Sequence, residues 1–511
     1  NFLDKIVEQA AEVIERHEPL AFINDFLMVT MQKLGDGFGR GEVSLPHLLK
    51  SADVMKQVMG FLEEYMKVKS GADLHSEIQY KGTIVLGTVY QDVHSIGKDL
   101  AKTLFENYGY RVIDMGVMTP LQGYIDAAKE HNADAIGMSA LLVQTSNHMI
   151  TVSRMLEEQG MGDTCVLVGG APVSDRHAAY VAMAGRDDVA AMRKNVFYCA
   201  TAMDGVNVMN DLLSSDDANS VFENNFQKLT KRYERAEKRA QDDKVLLETL
   251  PTREISFDAY TLPDGPWCPT EKLEISVSDF SPHINRRNLF SLNWRYGGKS
   301  KRESQGISDD SLTVLFGEWV EMVTAKKWLQ PQGLFAVHPC YSEGGEVVVL
   351  DVEDHNRELF RFDFTTVIGS GKEDTVNGAH FYRPKDSDVL DAIGIQISSA
   401  GADITAQLEV FKESGDSESA WFLQGLSDRL AEDMAAYMHD ELRKRLSVDE
   451  KDGTRWSPGY PGMTNMVNNQ RIYDLLGAGE RLGVEITDAG EFFPTGCTAA
   501  VISFHPAARY S

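Results

Sequence analysis

The sequence predicts a multidomain protein with a helical bundle, an α/β doubly wound parallel domain of the flavodoxin type, and an α+β domain. Residues 1–75 carry apolar residues at helical spacing throughout, and residues 76–215 alternate strand and helix patterns. Residues 256–511 mix short strands with long helices without that alternation. A chain of 511 residues has room for about three domains.

The composition restricts the class of partner. The 77 acidic and 50 basic residues give a formal charge of -27, which argues against a nucleic acid or an anionic membrane surface as the main partner. No apolar run reaches the roughly 20 residues that a membrane span needs. The five cysteines are scattered singly, which argues against a disulfide framework or a thiolate zinc site and favours the cytoplasm. The chain starts without methionine, so we expect a piece of something longer.

The first 70 residues predict a small bundle, because apolar residues recur at helical spacing over 2–14, 22–31 and 48–62. Between the last two helices, the glycine-rich segment 34–46 predicts a tight turn, and Pro46 suits the first turn of the next helix.

The second domain is predicted from five apolar runs, each followed by a helical pattern. The expected strands are Thr83–Leu86, Arg111–Met115, Ala135–Ser139, Cys165–Val168 and Val196–Tyr198. Loops that follow such strands meet at the carboxyl edge of the sheet, where doubly wound folds bind ligands.

The loop Gly87–Gly97 joins the first strand to a helix and contains Asp92 and His94. Asp92 is close enough to accept a proton from one imidazole nitrogen while the other nitrogen binds a ligand, as metal-ligating histidines commonly require. The ordinary alternative is a loop histidine that caps a helix.

Residues 216–255 are polar with mixed charge and predict an exposed helix that leads into a linker without chemistry. The expected elements of the last domain are helices over 311–329 and 420–445, strands over Val347–Asp351 and Leu359–Asp363, and a Gly/Pro turn over Trp456–Gly462.

The pattern Asp-x-His-x-x-Gly, formed by Asp92, His94 and Gly97, resembles the cobalamin-binding module of corrinoid methyltransferases. The resemblance implies that His94 displaces the nucleotide base of cobalamin and becomes the lower ligand of cobalt. It also implies a relay of His94, Asp92 and Thr145.

Two further loops extend this resemblance. Ser139 and Leu141 lie in the loop that the family uses against the nucleotide tail, whereas Val143 replaces a family threonine. Gly169 and Gly170 correspond to a glycine pair that lets a base and ribose approach the backbone.

The segment 34–46 resembles the cap that covers the upper face of the cofactor in this family. The resemblance implies that Phe38 and Leu45 shield the methyl group on cobalt. The alternative is that both are core residues.

Four segments in the last domain resemble the reactivation domain of cobalamin-dependent methionine synthases: Ser427–Glu432, Tyr437–Asp440, Arg455–Pro461 and Ser503–Tyr510. The resemblance implies an S-adenosylmethionine site with the contact residues Glu432, Arg455, Tyr460, Gly462 and Tyr510. The ligand's carboxylate suits an arginine, and its cationic groups suit a glutamate and aromatic rings.

Two departures from the family pattern accompany these matches. Asn285-Arg286 lack the family's aspartate, and Met463–Gln470 replace a run of the type Cys-Pro-x-His-Thr-Glu. The site for the ligand's amine is therefore expected to be altered.

Together the resemblances imply a cobalamin-dependent methyltransferase component: a corrinoid carrier that moves methyl between a donor and a thiol acceptor, homocysteine, as methylcobalamin. Donor and acceptor methyltransferase modules would be supplied in cis or trans, and S-adenosylmethionine with a flavodoxin-like electron donor would reactivate the cofactor. The alternative is a stand-alone corrinoid protein with a fused reactivase that serves a different methyltransferase. A cobalamin sensor is disfavoured, because a sensor has no need to remethylate cobalt.

Overall fold

A computed structural model describes residues 2–70, 80–214, 217–258, 260–401 and 404–509. The chain forms two compact units. The N-terminal unit comprises Asn1–Glu237, Trp294–Asp309 and Glu409–Phe422, and the C-terminal unit comprises Lys238–Asn293, Asp310–Leu408 and Leu423–Ser511. Within the described ranges, none of the helices combines the length and the apolar character that crossing a bilayer would require.

The N-terminal unit begins with a helical bundle. Its helices are α1 (Phe2–Ile14), α2 (Pro19–Ala21), α3 (Met28–Gly39) and α4 (Leu45–Ser70), and a π-helical stretch over Phe22–Leu27 leads into α3. The bundle buries an apolar cluster of Ala10, Ile14, Ile23, Val58, Leu62 and Met66.

The expected turn over 34–46 is too long, because α3 continues through Gly39 and only five residues separate it from α4. Two glycines that suggested a turn are helical and serve packing. Gly35 admits the ring of Tyr108, and Gly37 admits the side chain of Val43.

The α/β part has five parallel strands in the order β2-β1-β3-β4-β5, which is the flavodoxin order and confirms the predicted fold. Its strands are β1 (Thr83–Thr88), β2 (Arg111–Asp114), β3 (Ala135–Ala140), β4 (Cys165–Gly170) and β5 (Val196–Cys199). Its helices are α5 (Ile96–Asn107), α6 (Leu121–Glu130), α7 (Val143–Glu158), α8 (Asp175–Ala182) and α9 (Ala202–Ser214), with a 3-10 turn over Val189–Ala191.

The two faces of this sheet bury different clusters. One cluster joins strand residues such as Val85 and Ile136 to residues of α6, α7 and α8. The other joins Ile84 and Leu167 to residues of α5 and α9, and it includes Leu45 of the helical bundle. The bundle therefore packs on the face that α5 and α9 cover.

Helix α10 (Ala218–Thr249) occupies most of the segment 216–255, for which the sequence predicts an exposed helix that leads into a linker. Its Leu229 and Tyr233 are buried in the α/β core, and the Tyr233 hydroxyl donates a 3.1 Å hydrogen bond to Asp187. The first half of the helix is therefore part of the α/β packing. The domain boundaries 1–75, 76–215, 216–255 and 256–511 stay predictions.

The C-terminal unit is built on an antiparallel sheet in the order β13-β16-β12-β7-β8-β9, with β6 paired to β7. Its strands are β6 (Cys268–Glu274), β7 (Gln332–Glu343), β8 (Glu346–Leu350), β9 (Glu358–Asp363), β10 (Val367–Ile368), β11 (Thr375–Val376), β12 (Asp391–Ser399), β13 (Thr454–Trp456), β14 (Glu485–Ile486), β15 (Phe492–Phe493) and β16 (Cys497–Ser503).

The remaining helices are interspersed with these strands along the chain. They are α11 (Val277–Phe280), α12 (Arg286–Asn288), α13 (Lys299–Ser304), α14 (Asp309–Lys326), α15 (Ile404–Glu413), α16 (Ser417–Arg445), α17 (Val467–Leu476) and α18 (Ala478–Leu482). Of these, α13 and parts of α15 and α16 belong to the N-terminal unit. Single turns occupy Ser281–His283, Leu289–Asn293 and Gly378–Phe381. The four elements expected here, two helices and two strands, agree with α14, α16, β8 and β9.

Candidate functional site

The loop that carries His94 begins where β1 ends at Thr88 and ends where α5 begins at Ile96. Gln91 has a φ of 64°, a left-handed conformation that turns the chain back toward the sheet. Asp92 is fully buried, whereas the His94 side chain keeps 25% of its surface exposed. The loop therefore holds the carboxylate inside the protein and presents the imidazole near its surface.

The Asp92 carboxylate receives several donors. Its Oδ2 accepts the Leu141 backbone N–H at 2.6 Å and the Thr145 hydroxyl at 2.9 Å. Its Oδ1 accepts the His94 backbone N–H at 3.0 Å and lies 3.4 Å from His94 Nδ1. The structure therefore brings together the three residues of the expected relay.

Burial and hydrogen bonding act on Asp92 in opposite directions. Burial by itself raises the pKa of the carboxyl, but hydrogen bonds from His94 and from the Leu141 amide outweigh it, so the pKa is lowered below its usual value. Asp92 is therefore a carboxylate at neutral pH. A carboxylate facing one ring nitrogen orients an imidazole whose other nitrogen binds a metal.

Exposed apolar side chains surround this network on three loops at the carboxyl edge of the sheet. More than a third of the surface is exposed for each of Tyr90, Val117, Met118, Leu141 and Val143. Exposed apolar groups clustered on adjacent loops mark a binding surface, and a partly exposed imidazole among them suits a large apolar ring that carries a metal. The sequence indicated the loop of Leu141 and Val143 but missed Tyr90, Val117 and Met118.

Gly169 and Gly170, the glycines of the predicted tail site, are required by the packing of neighbouring strands. Gly170 has a φ of 125°, and a Cβ there would overlap the Ala140 carbonyl oxygen. A Cβ on Gly169 would lie 2.8 Å from the Cys199 carbonyl oxygen. Close strand packing therefore requires both glycines before any ligand approaches, so the approach of a base and ribose is not their only explanation.

Two other predicted residues flank the His94 loop. Gly97 is exposed in the first turn of α5, and a Cβ there would lie 3.3 Å from the Ser139 hydroxyl oxygen. Ser139 is half-buried near the end of β3. The structure therefore places both at the same edge of the sheet as His94.

In the C-terminal unit, Arg455 lies half-buried on β13 opposite Ile502 of β16. Burial lowers the pKa of its guanidinium, and the negative charge of Glu432 opposes that shift. Glu432 is exposed on α16. No side chain or carbonyl of the described residues hydrogen-bonds to the Arg455 guanidinium, which leaves its donors available to an anionic group.

The Gly/Pro turn follows Arg455 directly. Backbone hydrogen bonds of 2.8 Å from Gly459 to Met463 and of 3.0 Å from Met463 to Tyr460 close it. Gly462 has a φ of 89°, and a Cβ there would lie 3.1 Å from the Trp456 ring. The Tyr460 side chain is 60% exposed. Tyr510, the last predicted contact residue, lies outside the described residues.

The departures from the family pattern have structural partners. Asn465 donates a 3.0 Å hydrogen bond to Asp363 at the end of β9, and Arg471 bonds to the same carboxylate at 3.0 Å. The Asn285 backbone N–H donates to Asp433 at 2.8 Å. The changed segment is thus attached to the sheet, and Asp433 is a buried acid that sequence reasoning missed.

Family models match three parts of the chain. Residues 1–63 and residues 82–195 each match a B12 binding domain. Residues 277–511 match the activation domain of vitamin B12 dependent methionine synthase. The chain is a relative of the vitamin B12-dependent methionine synthases. Vitamin B12 is cobalamin, so the predicted family and its cobalamin cofactor are confirmed.

Whole methionine synthases are similar over most of the chain. The methionine synthase of Mycobacterium leprae (strain TN) is 27% identical over 549 residues, and that of Mycobacterium tuberculosis (strain ATCC 25618 / H37Rv) is 26% identical over 543 residues. Each match covers 98% of this chain but 44% of the relative's length. The chain thus spans less than half the length of these methionine synthases.

Solved structures give partial likenesses. A crystal structure of the MetH reactivation domain bound to AdoHcy shares 20% identity with a TM-score of 0.46, and the match covers 52% of this chain and 87% of that one. The methanol:cobalamin methyltransferase complex MtaBC from Methanosarcina barkeri shares 25% identity with a TM-score of 0.37, over 43% of this chain and 79% of that one.

The two predicted cap residues of this methionine synthase relative pack on the face of the sheet that α5 and α9 cover. Leu45 is only 1% exposed and packs among residues of α5 and α9. Phe38 is half-buried and lines a groove of about 850 Å³ with Arg40 and Lys301. In this structure both side chains have the packing role that the sequence left open as the alternative.

Proposed function

We propose that this chain is the corrinoid methyl carrier of a methionine-synthase-like methyltransferase. It would move methyl between a donor and the thiol of homocysteine and would be reactivated with S-adenosylmethionine. When bound, cobalamin supplies a cobalt centre that accepts and donates a methyl group. The observation that carries the proposal is the His94–Asp92–Thr145 network at the carboxyl edge of a domain that matches a B12 binding family.

His94 would hold the cofactor from below. Its Nδ1 faces the Asp92 carboxylate at 3.4 Å, so Nε2 is the atom left for cobalt. Asp92 would orient the ring, and Thr145 would fix the carboxylate through its 2.9 Å hydrogen bond. These three residues therefore act on the lower ligand.

The loops around His94 would receive the rest of the cofactor. The exposed Tyr90, Met118 and Leu141 suit contact with an apolar macrocycle that excludes water. Ser139, Gly169 and Gly170 lie at the same edge, where a nucleotide tail would enter beside the sheet. In a catalytic arrangement, Phe38 and Leu45 would have to leave their present packing to cover the methyl group.

The C-terminal unit would bind S-adenosylmethionine. Arg455 offers donors to the ligand's carboxylate, and Glu432 offers a negative charge to its cationic groups. Tyr460 offers an exposed ring, and Gly462 shapes the turn on which that ring is held. Tyr510 would complete the site by family resemblance. The match to an activation domain over residues 277–511 supports this assignment.

The functional partners are also proposals. Donor and acceptor modules would be supplied in cis or trans, since the chain spans 44% of its relatives' length. A flavodoxin-like protein would deliver the electron in the cytoplasm. The segments 1–75, 76–215, 216–255 and 256–511 are proposed as cap, cobalamin domain, linker and reactivation domain.

A second candidate is a carrier with a fused reactivase that serves a different methyltransferase. The observation that favours it is the altered segment Met463–Gln470, which is attached to the sheet through Asp363. Mixing the loaded protein with separately produced homocysteine and methyltetrahydrofolate modules of a methionine synthase distinguishes the two. Methyl transfer to homocysteine supports the first candidate, and none supports the second.

The experiment that tests the proposed carrier role is cofactor binding by the whole chain and by His94→Ala, followed by absorbance with methylcobinamide. This probe lacks the nucleotide base, so nitrogen coordination must come from the protein. We expect a coordinated spectrum for the native chain and an uncoordinated one for His94→Ala. Identical spectra for both proteins would remove His94 as the ligand.

A further inference from the structure

A buried hydroxyl connects the His94 loop to a neighbouring loop. Thr88, the last residue of β1, is fully buried, and its Oγ1 donates a 2.6 Å hydrogen bond to the Asp92 carbonyl oxygen. Thr88 Oγ1 also accepts a 3.0 Å hydrogen bond from the Met118 backbone N–H. One side chain therefore fixes the backbone of two loops that come from two different strands.

The Thr88 backbone reinforces this connection independently of the hydroxyl. Its N–H donates to the Gly116 carbonyl at 3.1 Å, and its carbonyl accepts the Thr119 N–H at 3.0 Å. The Met118 N–H also reaches the Asp92 carbonyl at 3.0 Å. A substitution that removes only the hydroxyl leaves these bonds in place, so the contribution of the hydroxyl can be measured by itself.

The connection holds functional atoms on both sides. Asp92 fixes its carboxylate beside His94 Nδ1, and its own backbone carbonyl is the acceptor for Thr88. Met118 has a φ of 52°, an unfavourable conformation for a residue with a side chain, and its side chain is 45% exposed. The hydroxyl therefore fixes the carboxylate's backbone and holds an exposed apolar side chain in a strained position.

We infer that Thr88 is a positioning residue for the cofactor site. Its hydroxyl fixes the position of the Gly116–Thr119 loop relative to His94, so that this loop contributes to the cofactor site. The inference rests on the proposed cobalamin role of His94 and extends it to a residue and a loop that the sequence motif does not include. Thr88 itself is too buried to touch the cofactor, so it acts through Asp92 and Met118.

The test compares Thr88→Val, Thr88→Ser and the native chain. Valine has nearly the shape of threonine without the hydroxyl, whereas serine restores the hydroxyl without the methyl. Thr230→Val is the matched control, because Thr230 lies on α10 and, among the described residues, its hydroxyl has Met192 Sδ at 3.7 Å as its one hydrogen-bond partner. Each protein is titrated with cobalamin for affinity and with methylcobinamide for the fraction that shows nitrogen coordination.

We expect Thr88→Val to bind cobalamin about tenfold more weakly, a factor equal to ~1.4 kcal/mol and typical of one buried hydrogen bond. It should also show a smaller coordinated fraction with methylcobinamide at saturation. Thr88→Ser should recover most of both quantities, and Thr230→Val should match the native chain. A role limited to folding would change the unfolding temperature but not the coordinated fraction of saturated protein.

The result that overturns the inference is a Thr88→Val protein with native affinity and native coordination while His94→Ala has lost coordination. If His94→Ala also keeps the native spectrum, the proposed cobalt ligand is wrong instead, so the two failures are distinguishable. Should Thr88→Val not fold, Thr88→Ala replaces it, since alanine removes the hydroxyl and adds no other donor. Native coordination in Thr88→Ala then overturns the inference.

Discussion

The Thr145 hydroxyl donates a 2.9 Å hydrogen bond to Oδ2 of Asp92, and both side chains are buried. This bond joins the first turn of α7 to the loop after β1, two elements that are 53 residues apart in sequence. The same carboxylate oxygen accepts the Leu141 amide at 2.6 Å. Asp92 therefore cannot rotate without breaking bonds to the loop that would hold the cofactor's tail.

Replacing Thr145 with valine should destabilise the cofactor-free protein. Hydrogen bonds to charged groups contribute about 1.5–3 kcal/mol, so a loss near ~2 kcal/mol is expected in urea unfolding. Thr145→Ser keeps the donor and should lose less than half of that. Equal losses in the valine and serine variants would show that the methyl group, rather than the hydrogen bond, is responsible.

Replacing Gly170 with alanine should be more damaging than replacing Gly160. Both glycines have positive φ, of 125° and 73°, but a Cβ on Gly160 meets nothing within 4 Å, whereas one on Gly170 overlaps the Ala140 carbonyl oxygen. We expect Gly160→Ala to cost about 1 kcal/mol from backbone strain alone. Gly170→Ala should cost at least a few kcal/mol, because β4 must also move from β3.

Thermal unfolding of the two alanine variants, followed by circular dichroism, checks this difference. Similar melting temperatures for both would mean that the strands separate easily at Gly170. In that case the glycine pair would be explained by the ligand alone.

Replacing Arg455 should weaken the binding of S-adenosylmethionine to the whole chain, as measured by calorimetry. Arg455→Ala removes the proposed carboxylate partner, and a loss of about tenfold or more, ~1.4 kcal/mol, is expected. Arg455→Lys keeps the charge but not the planar pair of donors, so its affinity should lie between those of Arg455→Ala and the native chain. Arg357→Ala, at a 67% exposed arginine elsewhere in the same unit, is the control. Unchanged affinity in Arg455→Ala would place the ligand elsewhere.

Acid should destabilise the C-terminal unit through His439. Burial, with the positive charges of Arg443 and Arg455, lowers the pKa of this imidazole to about 3 from its ordinary 6.5. Between these values the unfolded chain binds a proton that the folded chain does not, so stability falls as pH decreases below 6.5. The expected loss between pH 7 and pH 5 is about 2 kcal/mol.

Urea unfolding of native protein, His439→Gln and His355→Gln at both pH values measures this contribution. His439→Gln should lose less stability on acidification than the native chain, and His355→Gln, at an exposed histidine, should behave like the native chain. The same pH dependence in all three proteins would contradict the assignment.

Sequence reasoning recovered the architecture where the pattern was periodic. All five parallel strands lie where the apolar runs predict them. The signal is strong in β1, β3, β4 and β5, because most of their residues are buried, whereas β2 is a partly exposed edge strand. The glycines of α3 misled it, since Gly35 and Gly37 suggest a turn but serve helix packing. The burial of Tyr233 could not be predicted, because a mixed-charge helix pattern does not show which residues meet a distant surface.

At the site, the family resemblance predicted the residues that would hold the cofactor but not the residues that position them. His94, Asp92 and Thr145 were predicted from a family resemblance and lie together. Thr88 and Met118 lie outside the motif, and their role depends on the approach of loops from β1 and β2. A hydroxyl at the last position of a strand that precedes such a loop was the one signal present.

The central claim, that His94 is the lower ligand of cobalt, is tested most directly by electron paramagnetic resonance of cob(II)alamin bound to protein made with nitrogen-15 histidine. Nitrogen-14 and nitrogen-15 split the signal differently, so the spectrum identifies the source of the axial nitrogen. Histidine coordination predicts the nitrogen-15 pattern in the labelled protein and its disappearance in labelled His94→Ala. A nitrogen-14 pattern in the labelled native chain would mean that the cofactor keeps its own base, and it would contradict the claim.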